Sequence, residues 1–117
     1  MSKKDDYDFY CDVALQPNAD IKIEYESDTV LAFHHTKPNW PVHIVVIPKK
    51  HIWDIREVEE GELFSSLLTV AKDVLLNFSQ EYLDEHGARI ITNLGKFQDT
   101  PHLHFHIVCG DAFVKDS

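Results

Sequence analysis

Apolar and polar residues alternate through residues 21–26 (IKIEYE), and β-forming residues resume through 29–34 (TVLAFH) after Ser27-Asp28. A period of two turns one side of a segment toward a core, and Ser-Asp favours a turn, so the two segments predict a β-hairpin. Residues 42–47 (VHIVVI) form a β-branched run that stops at Pro48, which lacks the N–H needed to extend a ladder. The period then changes. From Glu59 to Glu85 the apolar residues Leu63, Leu67, Ala71, Val74, Phe78 and Tyr82 recur at steps of three or four, the mark of one face of a single long helix. Gly87 follows as a C-cap. Residues 88–93 (ARIITN) and 102–109 (HLHFHIVC) supply two further strands.

Five strands with short connections and one helix predict an α+β domain: a mostly antiparallel five-stranded sheet with one long helix packed on it. Such a sheet leaves an edge for a second subunit. No repeat, Ser/Gly-rich linker or low-complexity stretch divides the chain. Residues 1–8 therefore read as a flexible polar tail and residues 9–117 as a single domain.

Composition narrows the function classes. With 117 residues, 44% of them apolar, the chain can bury a core without disulfides or metals. Twenty acidic against eleven basic side chains give a formal charge of -9, a field that repels long nucleic acids and anionic lipid surfaces. The N-terminus lacks the apolar stretch of a signal peptide, and the longest aliphatic run, Ile44 to Ile47, is too short to span a bilayer. A cytoplasmic location is expected, where Cys11 and Cys109 would remain thiols.

The chemistry concentrates in one segment. On a strand, His102, His104 and His106 share a face about 7 Å apart, while Leu103, Phe105 and Ile107 point to the core. An amphipathic strand whose polar side happens to be imidazole would show the same alternation, and that would be the better reading for a single histidine. Three in register favour phosphorus chemistry: a neutral ring nitrogen is nucleophilic near pH 7, and flanking rings donate hydrogen bonds to phosphoryl oxygens. A metal-dependent hydrolase is the competing reading, because His-x-His can offer two nitrogens to zinc, although no HExxH helix or paired CxxC accompanies it. Lys49 and Lys50 read as solvated surface, and Trp40 and Trp53 as packing residues.

Residues 101–108 (PHLHFHIV) resemble the histidine triad (HIT) signature, and residues 30–51 (VLAFHHTKPNWPVHIVVIPKKH) resemble the segment before the helix in its Hint-like branch. The resemblance implies a homodimer that binds a purine nucleotide. It implies hydrolysis or transfer of a nucleoside monophosphate through a covalent nucleotidyl-histidine intermediate, with no metal or other cofactor in the chemistry. His104 would be the nucleophile, and His102 would lie beside the phosphate and leaving group. His106 and His43 would form the relay that orients His104, with Asn93 and Gln98 near the ribose and phosphate. The chain departs from the family at His35, where an Asp commonly holds the ribose, and in the shortened stretch Lys96-Phe97-Gln98-Asp99-Thr100. There Thr100 would supply a hydroxyl, and Asp99 brings negative charge toward the phosphate. That charge motivates a second reading, a nucleotide-binding module with little turnover. Some family members hold a structural zinc through CxxC and two histidines. The matching residues are Asp8, Cys11, His51 and His102, and with one cysteine missing no zinc is expected.

Overall fold

The computed structural model describes residues 10, 11, 15 and 19–113; the expected tail, residues 1–8, lies outside them. Five strands, β1 (Ile23–Glu26), β2 (Val30–His34), β3 (Val42–Pro48), β4 (Ala88–Ile91) and β5 (Phe105–Cys109), form one sheet in the order β1-β2-β3-β5-β4. Every neighbouring pair is antiparallel, as the short connections predict.

Alternation along β2 and β3 builds two apolar layers. Val30, Ala32, Ile44 and Val46, with Phe105 and Ile107 of β5, face helix α1 (Glu62–Leu75), which buries Leu67, Val70, Ala71 and Val74 against them. Leu31, Phe33, Val45 and Ile47 face the other way and pack with Tyr10 and Leu15. Each fully buried aliphatic side chain contributes roughly 1.5–3 kcal/mol. At the β1 edge Ile23 and Tyr25 stay exposed; Tyr25 borders a groove whose α1 side carries Ser65, Ser66 and Thr69.

The single helix expected from Glu59 to Glu85 is two helices. α1 ends at Leu75, and α2 (Gln80–His86) starts afresh. Ser79 explains the break: its backbone is extended and its Oγ accepts the N–H of Tyr82 at 3.0 Å, a local N-cap that competes with continued helix. Phe78 and Tyr82 consequently stack on each other, centroids 5.3 Å apart, rather than extending the buried face of α1. Gly87 does cap α2, with φ 75 and its N–H bonded to the Leu83 carbonyl.

The last strand is also shorter than expected, beginning at Phe105 rather than His102. In the β3–β5 register Val46 faces Phe105, so Leu103 would face Pro48, which has no N–H to pair. Leu103 instead donates its N–H to the Ile52 carbonyl at 2.6 Å. Residues 102–104 thus approach the sheet outside its ladder. Leu103, Phe105 and Ile107 are buried as the alternation predicts. Cys11 and Cys109 are not joined in a disulfide, and no helix among the described residues is long and apolar enough to cross a membrane.

Candidate active site

Backbone carbonyls and amides fix the histidine tautomers. Nδ1 of His104 lies 2.7 Å from the His102 carbonyl, which can only accept, so Nδ1 carries the proton and the neutral ring keeps its lone pair on Nε2. The Asn39 N–H donates to Nδ1 of His43 at 3.1 Å. Nε2–H of His43 therefore donates to Nδ1 of His106 at 2.8 Å, and His106 in turn carries its proton on Nε2. The Lys37 N–H donates to Nδ1 of His35 at 2.9 Å, leaving an N–H at Nε2 there as well. Among the described residues, Trp40 Nε1 is the one buried side-chain nitrogen or oxygen without a partner; His104 is itself buried, 4% exposed.

These rings form one cluster. His35 stacks on His43 with centroids 4.3 Å apart, and the centroids of His104 and His106 are 4.8 Å apart, edge to face. Tyr10 packs on His104 at 5.0 Å, and Thr92 donates its hydroxyl to the His104 carbonyl at 2.9 Å, holding the segment before β5. Burial pushes His43 down to about 4 and His106 to about 3, with neighbouring imidazoles adding to the shift. Burial also lowers His104 and His35, and the Asp99 carboxylate opposes both shifts. The four rings are neutral near pH 7.

A cavity of about 290 Å³ opens beside them, lined by Tyr10, Phe33, His35, Thr36, Lys37, Asp99, Thr100, His104 and His106. Of the residues singled out in the sequence, His35, Asp99, Thr100, His104 and His106 reach its wall, and His43 stands behind His106. Gln98 is buried with its amide donating to the Trp53 carbonyl at 2.6 Å, and Asn93 follows β4; neither lines the cavity. His102, expected beside the phosphate and leaving group, is fully buried and is not among the lining residues. Its Nε2–H donates to the Pro48 carbonyl at 2.8 Å, the same proline that ends the β3 ladder. Lys37, Thr36 and Tyr10 are cavity residues that motif spacing did not indicate, because no regular pattern carries them.

Nδ1 of His102 faces Cys11 instead. Cys11 Sγ lies 3.4 Å from it and 3.7 Å from Nδ1 of His51, and the three ligand atoms are within 4.8 Å of one another. A tetrahedral zinc with bonds of about 2.3 Å to sulfur and 2.05 Å to nitrogen separates those donors by about 3.6 Å. The Pro48 bond fixes the lone pair of His102 on the nitrogen that a metal needs. Three of the four residues set aside as an incomplete zinc set therefore fit the ion; Asp8 lies outside the described residues. His104 and His106 join no such set among the described residues.

An uncharacterized HIT-like protein of Rickettsia prowazekii (strain Madrid E) is 34% identical over 109 residues, covering 86% of this chain and 85% of the relative. The crystal structure of a HIT family hydrolase from Legionella pneumophila Philadelphia 1 superposes with a TM-score of 0.74 at 31% identity, covering 90% and 94% of the two chains. A hypothetical histidine triad nucleotide-binding protein from Sulfolobus tokodaii gives 0.66 at 30% identity, over 84% and 70%. The HIT domain profile matches residues 16–113, which include the sheet, the helices and the His102–His106 segment, and the chain belongs to the HIT domain family.

Proposed function

We propose that the protein is a nucleotide-binding hydrolase or nucleotidyl transferase acting on purine nucleoside phosphoramidates or related nucleotide conjugates through a covalent nucleotidyl-histidine intermediate. The observation that carries this reading is the tautomer of His104, with Nδ1–H held by a carbonyl and a lone pair on Nε2 at the wall of a cavity. Nε2 attacks the α-phosphorus, the bond to the leaving group breaks, and its electron pair departs with that group, which takes a proton from water. Water then attacks the phosphorus and the N–P bond breaks, restoring neutral His104. His106, proton on Nε2, donates to a phosphoryl oxygen, while His43 holds that tautomer in place. His35 and Thr100 meet the sugar and phosphate. His102 acts from behind as a fixed support.

The Legionella and Sulfolobus relatives, described as a hydrolase and a nucleotide-binding protein, support the same class. Cys11, His51 and His102 would hold a structural zinc, tying the N-terminal residues to the triad segment. The phosphoryl transfer itself needs no metal. β4 is the edge proposed for the homodimer: Ala88, Arg89 and Ile90 are exposed, whereas edge β1 carries Glu24 and Glu26 paired with His34 and Lys49, charges that blunt a strand edge. A cytoplasmic location is part of the same proposal.

The test is turnover of an adenosine phosphoramidate by wild type and by His104→Ala, with folding checked by circular dichroism. Activity in the wild type and its loss in the variant support the proposal; equal turnover by both excludes His104 as nucleophile. Asp99 in the cavity wall favours the second reading, a binding module; tight AMP binding without hydrolysis would establish it.

A further inference from the structure

Phosphoryl-transfer sites commonly surround the reacting group with positive charge, and this cavity does not. Its wall holds one permanently cationic side chain, Lys37, and one carboxylate, Asp99, among the described residues. His35 and His106 each accept a hydrogen bond at Nδ1, from the Lys37 N–H and from Nε2–H of His43, so both rings are neutral, and His104 attacks only as the neutral ring. Formal charge in the wall therefore sums to zero, inside a chain whose total is -9. An α-phosphoryl group joined to a nucleoside and an amine brings a single negative charge, which Lys37 can balance. A leaving group made of further phosphates brings additional charges that find no cation there and meet Asp99, and like charges at close quarters oppose binding.

We propose that Asp99 sets leaving-group specificity at this site, favouring nucleotide conjugates that release an amine over those that release a phosphate chain. The inference rests on the phosphoryl-transfer reading above. When the P–N bond breaks, its electron pair passes to nitrogen, which takes a proton from water. The amine gains a second and becomes an ammonium ion in neutral solution, which the Asp99 carboxylate stabilises. When a P–O–P bond breaks, the departing oxygen carries negative charge, which Asp99 repels. Thr100 and Lys37 are common to both reactions and do not discriminate between them.

The experiment compares kcat/KM for an adenosine 5′-phosphoramidate bearing a primary alkylamine with kcat/KM for diadenosine triphosphate, in wild type, Asp99→Asn and Asp99→Glu. The wild type favours the phosphoramidate. Asp99→Asn lowers that preference by about tenfold or more, equivalent to roughly 1.4 kcal/mol, and Asp99→Glu preserves it. Rising salt weakens the preference in the wild type and much less in Asp99→Asn. An unchanged ratio in Asp99→Asn, with His104-dependent turnover of the phosphoramidate intact, overturns this inference alone. Equal behaviour of the Glu and Asn variants overturns it too. Failure of the wild type to turn over either substrate removes both this inference and the reading beneath it.

Discussion

Lowering the pH from 7 to 5 probes the imidazole cluster through stability rather than turnover. In the unfolded chain His43 and His106 titrate at the ordinary 6.5, whereas in the fold burial pushes them to about 4 and about 3. Their neutral forms are thus the native ones. Stability is intact above pH 6.5 and is lost as pH falls from there toward the folded values, because only the unfolded chain takes up the protons. At pH 5 each unfolded imidazole gains about 2 kcal/mol while its folded counterpart is still mostly neutral, so the pair costs roughly 4 kcal/mol. That is a large share of the ~5–15 kcal/mol typical of a domain. Urea unfolding followed by circular dichroism at pH 7, 6 and 5 measures the loss. The double variant His43→Gln/His106→Gln should lose about 4 kcal/mol less than the wild type over the same interval. Parallel pH dependences in the two proteins would refute the assignment of these rings as buried and neutral.

Three other outcomes follow from the packing. Purified protein should contain about one zinc per chain by elemental analysis, and Cys11→Ser should lower that content; wild-type protein prepared with zinc yet free of metal would refute the cluster as a site. Ile90→Lys, on the exposed β4 edge, should convert a dimer to a monomer in light scattering after size exclusion, and an unchanged mass would place the interface elsewhere. Ser79→Ala removes the α2 cap and should cost about 1 kcal/mol in chemical denaturation, with a change below about 0.3 kcal/mol speaking against the Ser79 bond.

Much of the fold was legible because period and burial coincide. The runs 29–34 and 42–47 alternate or saturate with apolar residues, and β2 and β3 lie within a residue of those limits. The errors lie where one residue's local chemistry outweighs the periodic pattern. The apolar spacing continues through Phe78 and Tyr82, but Ser79 offers its own hydroxyl to a backbone N–H and ends the helix. His102 fits the alternation of a strand, but Pro48, which would face Leu103, has no N–H to hold that strand in the ladder, and its carbonyl accepts from the His102 ring instead. The triad motif marked His104, His106 and, through the resemblance, His43. It could not convey that Asn39 and the His102 carbonyl set their tautomers, since those bonds come from backbone groups of any residue type. Lys37 and Tyr10 reach the cavity through loop geometry and tertiary packing, which spacing does not encode.

The central claim, that Nε2 of His104 is the nucleophile, is tested most directly by stopping the reaction with an adenosine phosphoramidate during its first turnover and mapping the modified peptide by mass spectrometry. The account predicts one added nucleoside monophosphate group on His104, formed and lost at rates compatible with turnover. A modification on another residue, or steady turnover in which His104→Ala retains full activity and no adduct forms, would contradict it.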